Sequence, residues 1–308
     1  MPSVDVPVTS VFFGGGTPSL LEGAHLARIL AALPRARDAE VTVECNPETV
    51  DEPKLAAYLE AGVNRLSFGV QSMAPHVLAS LGRVHRTEAV VGAVGAARAV
   101  GFTSFNLDLI YGATGESLED WRTTLDAALA LDPPHVSAYG LTVEAGTPLA
   151  DDPSRHPDDD DQADKYLLAT ERLGAAGLEW YEISNWARPG HRCRHNLLYW
   201  DQGDYLAFGC AAHGHRDGRR WWNVRTPERY IEAVVAGRSA ESNHEDLDDE
   251  TRRLERLQLS IRTDDGVPRA ALPADDPALD GLVDVRGDRA TLTVAGRLLA
   301  NEVAVRLQ

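Results

Sequence analysis

Two hydrophobic rhythms alternate along the first 185 residues. Short apolar runs at residues 11–13, 41–45, 64–70, 102–110, 135–141 and 180–183 predict strands. Between them, apolar positions fall at helical spacing in residues 23–33 (Leu26, Ile29, Leu30, Leu33), 53–60, 75–81, 87–100, 118–131 and 166–176. The punctuation agrees: Pro34 ends the first helix, Gly62 the second, and Asp132-Pro133-Pro134 the fifth. One helix between successive strands is the rhythm of parallel βα units, so the chain predicts a (β/α) barrel rather than a sandwich. The Pro/Asp-rich stretch 151–161 reads as a mobile loop, and residues 184–190 as a loop. From about Leu247 the pattern changes to a helical unit (Leu254, Leu257, Leu259, Ile261), a hairpin over residues 282–294 and a closing helix over residues 298–307. This predicts a small winged-helix-like domain.

In parallel barrels the active face lies at the C-terminal ends of the strands. The polar residues at those ends form a coherent set here: Gly14, Gly15 and Gly16, then Glu44, Gln71, Asp108 and Glu144. Gly14-Gly15-Gly16-Thr17-Pro18 stops the first strand, and glycines let a ligand approach the backbone closely. The run is neither a dinucleotide fingerprint nor a P-loop.

Charge narrows the partners. The formal net charge is −17, and residues 245–308 hold 14 acidic against 9 basic residues. An acidic chain repels phosphate backbones, which argues against nucleic-acid binding. No targeting sequence or membrane-spanning run appears, so a cytoplasmic protein is expected, with peripheral membrane contact left open. Cys45, Cys193 and Cys210 are too widely spaced for a local metal motif or a disulfide framework. Residues 191–225 concentrate His191, His195, His213 and His215 with Tyr199, Tyr205, Trp200, Trp221, Trp222 and several arginines. That mixture suits a flat, partly apolar anion.

These motifs, taken in order, resemble a known family. Phe13-Gly14-Gly15-Gly16-Thr17-Pro18-Ser19, Glu44-Cys45-Asn46-Pro47, Asn64 to Ser72, Leu81-Gly82-Arg83, Asp108 to Gly112, Tyr181 to Asn185 and His195-Asn196-Leu197-Leu198-Tyr199 are similar to the radical S-adenosylmethionine family of oxygen-independent coproporphyrinogen III oxidases. Within it, the last motif and Gly209 to His213 resemble the HemW heme chaperone branch. The resemblance covers nearly the whole chain. It implies residues 1–185 as a barrel, 186–244 as a heme- or porphyrin-binding segment and 245–308 as the C-terminal domain.

For S-adenosylmethionine the resemblance implies Gly14, Gly15, Gly16 and Thr17 at the methionine amino end, and Gln71 and Asp108 at the ribose with Glu44 beside them. It implies Arg83 at the methionine carboxylate, and Gly140 and His213 bordering the cofactor. His195 and Tyr199 are the implied heme residues, sharing a face if the segment is helical, with Arg216, Arg219, Arg220 or Arg225 for the propionates. The implied function is heme binding and delivery to an acceptor protein. Oxidative decarboxylation of coproporphyrinogen III is the alternative, and an interaction-only protein a third reading.

One departure matters. The family's C-x-x-x-C-x-x-C loop, which holds a [4Fe–4S] cluster, does not occur in this sequence. The expectation is therefore an incomplete barrel lacking its first strand and cluster loop, inactive in radical chemistry as it stands. An exposed sheet edge would also make it poorly stable, melting below about 50 °C.

Overall fold

The computed structural model describes residues 6–83 and 86–308. The chain divides into two compact units, Pro7–Arg192 and a smaller one built on Cys193–Gln308.

The larger unit contains β1 (Val8–Phe13), α1 (Gly23–Ala31), β2 (Arg35–Cys45), α2 (Glu52–Ala61), β3 (Arg65–Gln71), α3 (Pro75–Ser80), α4 (Thr87–Val100), β4 (Phe105–Tyr111), α5 (Leu118–Ala130), β5 (His135–Gly140), α6 (Asp159–Ala175), β6 (Glu179–Glu182) and β7 (Asn185–Ala187). Its strands form one seven-stranded half-barrel sheet in the order β1-β2-β3-β4-β5-β7-β6. The first five are parallel, as the βα rhythm predicts. The end departs from it: β6 turns back into β7, which pairs antiparallel with β5 inside the expected loop 184–190.

Strand alternation divides this sheet into two chemical faces. Val41, Val43, Cys45, Leu66, Phe68, Val70, Phe105, Leu107, Leu109, Val136 and Ala138 join the apolar core. The intervening residues (Thr42, Glu44, Arg65, Ser67, Asn106, Asp108, His135, Ser137) are polar, so the lumen of the half-barrel is a polar surface. Burial of polar groups is tolerated only where they are hydrogen-bonded, and that condition governs the site described below.

Two further expectations change. The Asp-rich run is not a mobile loop: α6 starts at Asp159, and the Asp158 side chain caps it by accepting from Asp161 N–H. Carboxylates are favourable at a helix N-terminus, which explains why an acidic run starts a helix here. β2 also begins six residues before the expected Val41, at Arg35.

The smaller unit contains α7 (Arg194–Trp200), β8 (His213–Arg216), β9 (Arg219–Asn223), α8 (Pro227–Val235), β10 (Glu241–Asp246), α9 (Asp249–Ser260), β11 (Val267–Pro268), β12 (Val283–Arg286), β13 (Arg289–Leu292), α10 (Val294–Leu298) and α11 (Ala300–Ala304). The expected hairpin is β12–β13, extended by β11 into a three-stranded sheet. The closing helix is two short helices that meet at Leu299. The sheet β10-β9-β8 was not foreseen in the segment rich in His and Trp. No helix among the described residues is long and apolar enough to cross a membrane.

Candidate functional site

At the end of β1 the backbone turns through Gly15 (φ 78°) and Gly16 (φ 63°), a left-handed pair that side chains disfavour. A Cβ at either glycine would meet nothing within 4 Å, whereas one on Gly14 would fall 2.7 Å from the Phe12 ring and 3.3 Å from the Glu44 carboxyl carbon. All three glycines are exposed and Thr17 is half-buried. The loop is thus an open backbone surface, flanked by Glu44, whose Oε2 accepts from Gly15 N–H at 3.1 Å. Below it, Asn46 N–H donates to Ser19 Oγ (3.0 Å) and Tyr58 O–H to Leu21 O (2.6 Å), tying the loop to β2 and α2. Burial raises the Glu44 carboxyl above its ordinary range, opposed by the Gly15 N–H and reinforced by Asp108.

Gln71 ends β3 in the left-handed region (φ 64°), after an irregularity in the β3–β4 register. Non-glycine residues held there concentrate at functional sites. Half-buried Asp108 sits on β4 facing the same lumen. Its Oδ2 accepts from Ser67 O–H (2.7 Å) and its Oδ1 from Asn106 Nδ2 (2.8 Å). Asn106 Nδ2 also reaches Ser137 Oγ at 2.9 Å. Because that amide nitrogen donates, Asn106 Oδ1 must accept, and the proton between it and His135 Nδ1 (2.6 Å) belongs to the imidazole. His135 Nε2 then accepts from Tyr181 O–H at 2.7 Å. Ser137 O–H continues the chain to Asn185 Oδ1 (2.5 Å), and Asn185 Nδ2 donates to Glu182. Burial, then Arg65 and His191, hold His135 well below its usual titration, so it stays neutral. Burial raises the Asp108 carboxyl, opposed by Ser67, Arg65 and Asn106. Sequence reasoning found Asp108 but missed Asn106, His135 and Tyr181, which hold it.

Gly140 ends β5 with the Gln162 and Tyr111 side chains each 3.3 Å from where a Cβ would lie. Gln162 Nε2 donates to Leu141 O (2.9 Å). One turn further along α6, fully buried Lys165 donates to Glu116 O (2.8 Å) and Asp161 Oδ2 (2.5 Å), and lies 3.5 Å from Glu116 Oε2. Glu116 in turn accepts from Gly112 N–H at 2.6 Å. One helix face therefore clamps the loops after both β4 and β5.

Gly14, Gly15, Gly16, Thr17, Glu44, Gln71, Asp108 and Gly140 all stand at strand ends or in the lumen of one sheet. Arg83 lies exposed beyond α3, where its N–H donates to Leu78 O. Among the described residues no side-chain contact joins it to the others. His213 belongs to the smaller unit, where its ring stacks on Trp222 at 5.9 Å. The open glycine backbone and the lumen carboxylates and amide provide acceptors and donors suited to a polar ligand such as S-adenosylmethionine. An iron–sulfur cluster is not matched: no group of three His, Cys, Asp or Glu that could hold a metal occurs among the described residues. Cys45 and Cys193 are buried, and burial pushes the Cys45 thiol up to about 12.

In the smaller unit, α7 places His195 and Tyr199 on one face, with Nε2 and the phenolic oxygen 2.8 Å apart. Aromatic contacts continue from Tyr199 to Tyr205 (4.7 Å between centroids) and from Tyr205 to His215 (6.0 Å). His215 is buried and shares a sheet face with His213, Arg220 and Trp222, while alternation puts Arg216, Arg219 and Trp221 on the other face. Of the candidate arginines, Arg220 therefore shares the His215 face and Arg216 and Arg219 do not. Arg220 is also paired with Glu245 (2.7 Å) and Glu255 (3.1 Å). Burial pushes the Tyr199 phenol up to about 12, so it stays protonated at neutral pH.

A Radical SAM superfamily model matches residues 3–128. A protein of Mycobacterium tuberculosis (strain CDC 1551 / Oshkosh) named heme chaperone HemW is 45% identical over 97% of this chain and 81% of its own length. A HemW of Escherichia coli (strain K12) is 43% identical over 77% of this chain and 64% of its own, and one of Bacillus subtilis (strain 168) is 33% identical over 96% and 84%. The solved coproporphyrinogen III oxidase of Escherichia coli, described as a radical SAM enzyme, superposes with a TM-score of 0.82 over 97% of this chain and 77% of that one, at 23% identity, a likeness of fold. The polar lumen behind a glycine-rich strand end, the histidine–tyrosine helix and the identity along nearly the whole chain converge: the chain belongs to the HemW heme chaperone family of radical SAM proteins.

Proposed function

We propose that this chain binds heme at the α7 face of its smaller unit and hands it to an acceptor protein, and that the lumen of its larger unit binds S-adenosylmethionine. The observation that carries the heme reading is the His195–Tyr199 pair, 2.8 Å apart on one helix turn, in a chain 45% identical to a protein named heme chaperone. A neutral imidazole is a common axial ligand for heme iron. Tyr199 bonded to Nε2 presets the ring orientation, and the exposed flank of Tyr199, which meets Tyr205 edge to face, offers aromatic contact to a macrocycle. Exposed Arg225 and the partly covered Arg220 supply cations for its carboxylates.

S-adenosylmethionine would meet the Gly14–Gly16 backbone and Thr17 at its amino end, Gln71 and Asp108 at the ribose with Glu44 alongside, and Arg83 at its carboxylate, with Gly140 at the margin. Asp108 suits a ribose because both its oxygens are oriented by bonds from Ser67 and Asn106. The superfamily implies a [4Fe–4S] cluster beside that cofactor. No step runs through one here, because the described residues do not form a site for it.

Titration with heme tests the reading. A saturable Soret band is expected for the wild-type chain, with affinity lowered at least about tenfold in His195→Ala, the loss of one good ligand. An unchanged spectrum and affinity in that variant would remove His195 as the ligand.

A further inference from the structure

The lumen network around Asp108 is nearly complete, and two exceptions, Arg65 and Thr42, lie side by side at its floor. Arg65 opens β3, is 3% exposed, and its Nε–H finds no partner among the described residues. Thr42 lies directly across from it in the β2–β3 register, is fully buried, and its Oγ1 also lacks a partner. His191, in the segment after β7, presents a third buried atom without a partner, Nδ1. Its titration is lowered by burial, then by Arg188 and Arg65, so its ring lies within the field of the same guanidinium.

Arg65 Nε–H can only donate, so its missing partner is an acceptor, and the Thr42 hydroxyl can donate to the same group. Arginine does not lose its proton, and a buried guanidinium without a hydrogen-bonded counter-charge is costly. Asp108, whose field reaches Arg65, is oriented by Ser67 and Asn106, and among the described residues it forms no ion pair with that guanidinium. Glu40, two residues before Thr42 on the same face, is buried with a partner of its own. A water would fill one acceptor position and leave the charge as it is. A monoanion with two acceptor oxygens would answer both needs, and a carboxylate matches the planar fork of arginine.

We propose that Thr42 and Arg65 form a carboxylate-binding site at the floor of the half-barrel lumen. It lies below the glycine loop, since Thr42 is level with Phe12, two residues before Gly14, and it does not depend on heme binding by the smaller unit. The carboxylate belongs either to a free small acid or to a side arm of a larger ligand such as a porphyrin propionate.

The test uses the full chain and sodium acetate against sodium chloride at constant ionic strength. The expected result is a melting midpoint that rises saturably with acetate and not with chloride. Apparent acetate affinity should fall about tenfold in Thr42→Val, the loss of one hydrogen bond to a charged group, and disappear in Arg65→Gln. If Arg65→Gln does not fold, the near-isosteric Thr42→Val decides. No acetate-specific rise, or the same rise in both proteins, overturns the site and leaves buried water as the partner. With the site upheld, heme and its dimethyl ester are titrated in saturating acetate. Competition against heme but not the ester assigns the carboxylate to a porphyrin; competition against neither assigns it to a free acid.

Discussion

The lumen of the larger unit and the α7 face of the smaller one both gather histidine, tyrosine and acidic groups, yet they treat them in opposite ways. In the lumen, Asn106, His135 and Ser137 are each 1–2% exposed and joined in one chain of hydrogen bonds from Tyr181 to Asp108. On α7 the corresponding pair is open, with Tyr199 41% exposed and its ring one step in an aromatic ladder. A buried network is rigid because each missing partner costs the full desolvation of the group left behind. An open ladder loses little when one member moves. A rigid lumen suits a ligand held in one pose; an adaptable face suits a cargo that must be released.

The contrast predicts a gradient of mutational cost. The largest should come from Lys165→Ala, which leaves Glu116 buried beside an empty space: about 3–5 kcal/mol lost in urea denaturation, as for breaking other buried pairs. His135→Phe keeps the ring but leaves Asn106 Oδ1 without its donor and removes the Nε2 acceptor from Tyr181 O–H, so about 2–4 kcal/mol is expected. Gly16→Ala forces a side chain into the left-handed region and should cost about 1–2 kcal/mol while weakening S-adenosylmethionine binding in equilibrium dialysis. Tyr199→Phe, on the open face, should change stability by less than about 1 kcal/mol. Equal costs for His135→Phe and Tyr199→Phe would break the comparison.

Acidity sharpens it. The folded value of His135 lies well below the ordinary 6.5, so as pH falls the unfolded chain takes the proton first. Its contribution is present above about pH 6.5 and lost below it, by at most about 1.4 kcal/mol per pH unit. His191 acts in the same direction, whereas the raised carboxyls Glu44, Asp108 and Glu116 take up protons more readily in the folded chain as pH falls, which adds stability and offsets part of the histidine loss. The urea midpoint between about pH 6.5 and 5 should therefore fall less steeply in His135→Gln than in the wild type. Identical slopes would mean that His135 does not stay neutral.

Much of this was legible in the sequence, and the gaps have physical causes. The parallel strands β1 to β5 announce themselves by alternating apolar residues, and Asp108 by its place on a strand. Its supports were hidden because the network joins residues distant in the chain: His135 to Asn106 across 29 positions and to Tyr181 across 46. Polar residues inside apolar runs look like weak strand positions until a lumen gives them partners. β7 has only three residues, and its pairing is set by β5 and β6 rather than by its own pattern. In β8 and β9 the alternation is carried by His, Arg and Trp, which a hydrophobic pattern does not register; Gly214 is needed because a Cβ there would lie 2.3 Å from the Trp221 ring.

The division of labour between the two units is tested most directly by heme titration of two single variants beside the wild type, one from each side of the comparison. The account predicts that Asp108→Asn, on the lumen side, keeps the wild-type Soret band and affinity, while His195→Ala loses at least about tenfold in affinity. A Soret band unchanged in His195→Ala, or abolished by Asp108→Asn in a chain that still folds, would contradict it.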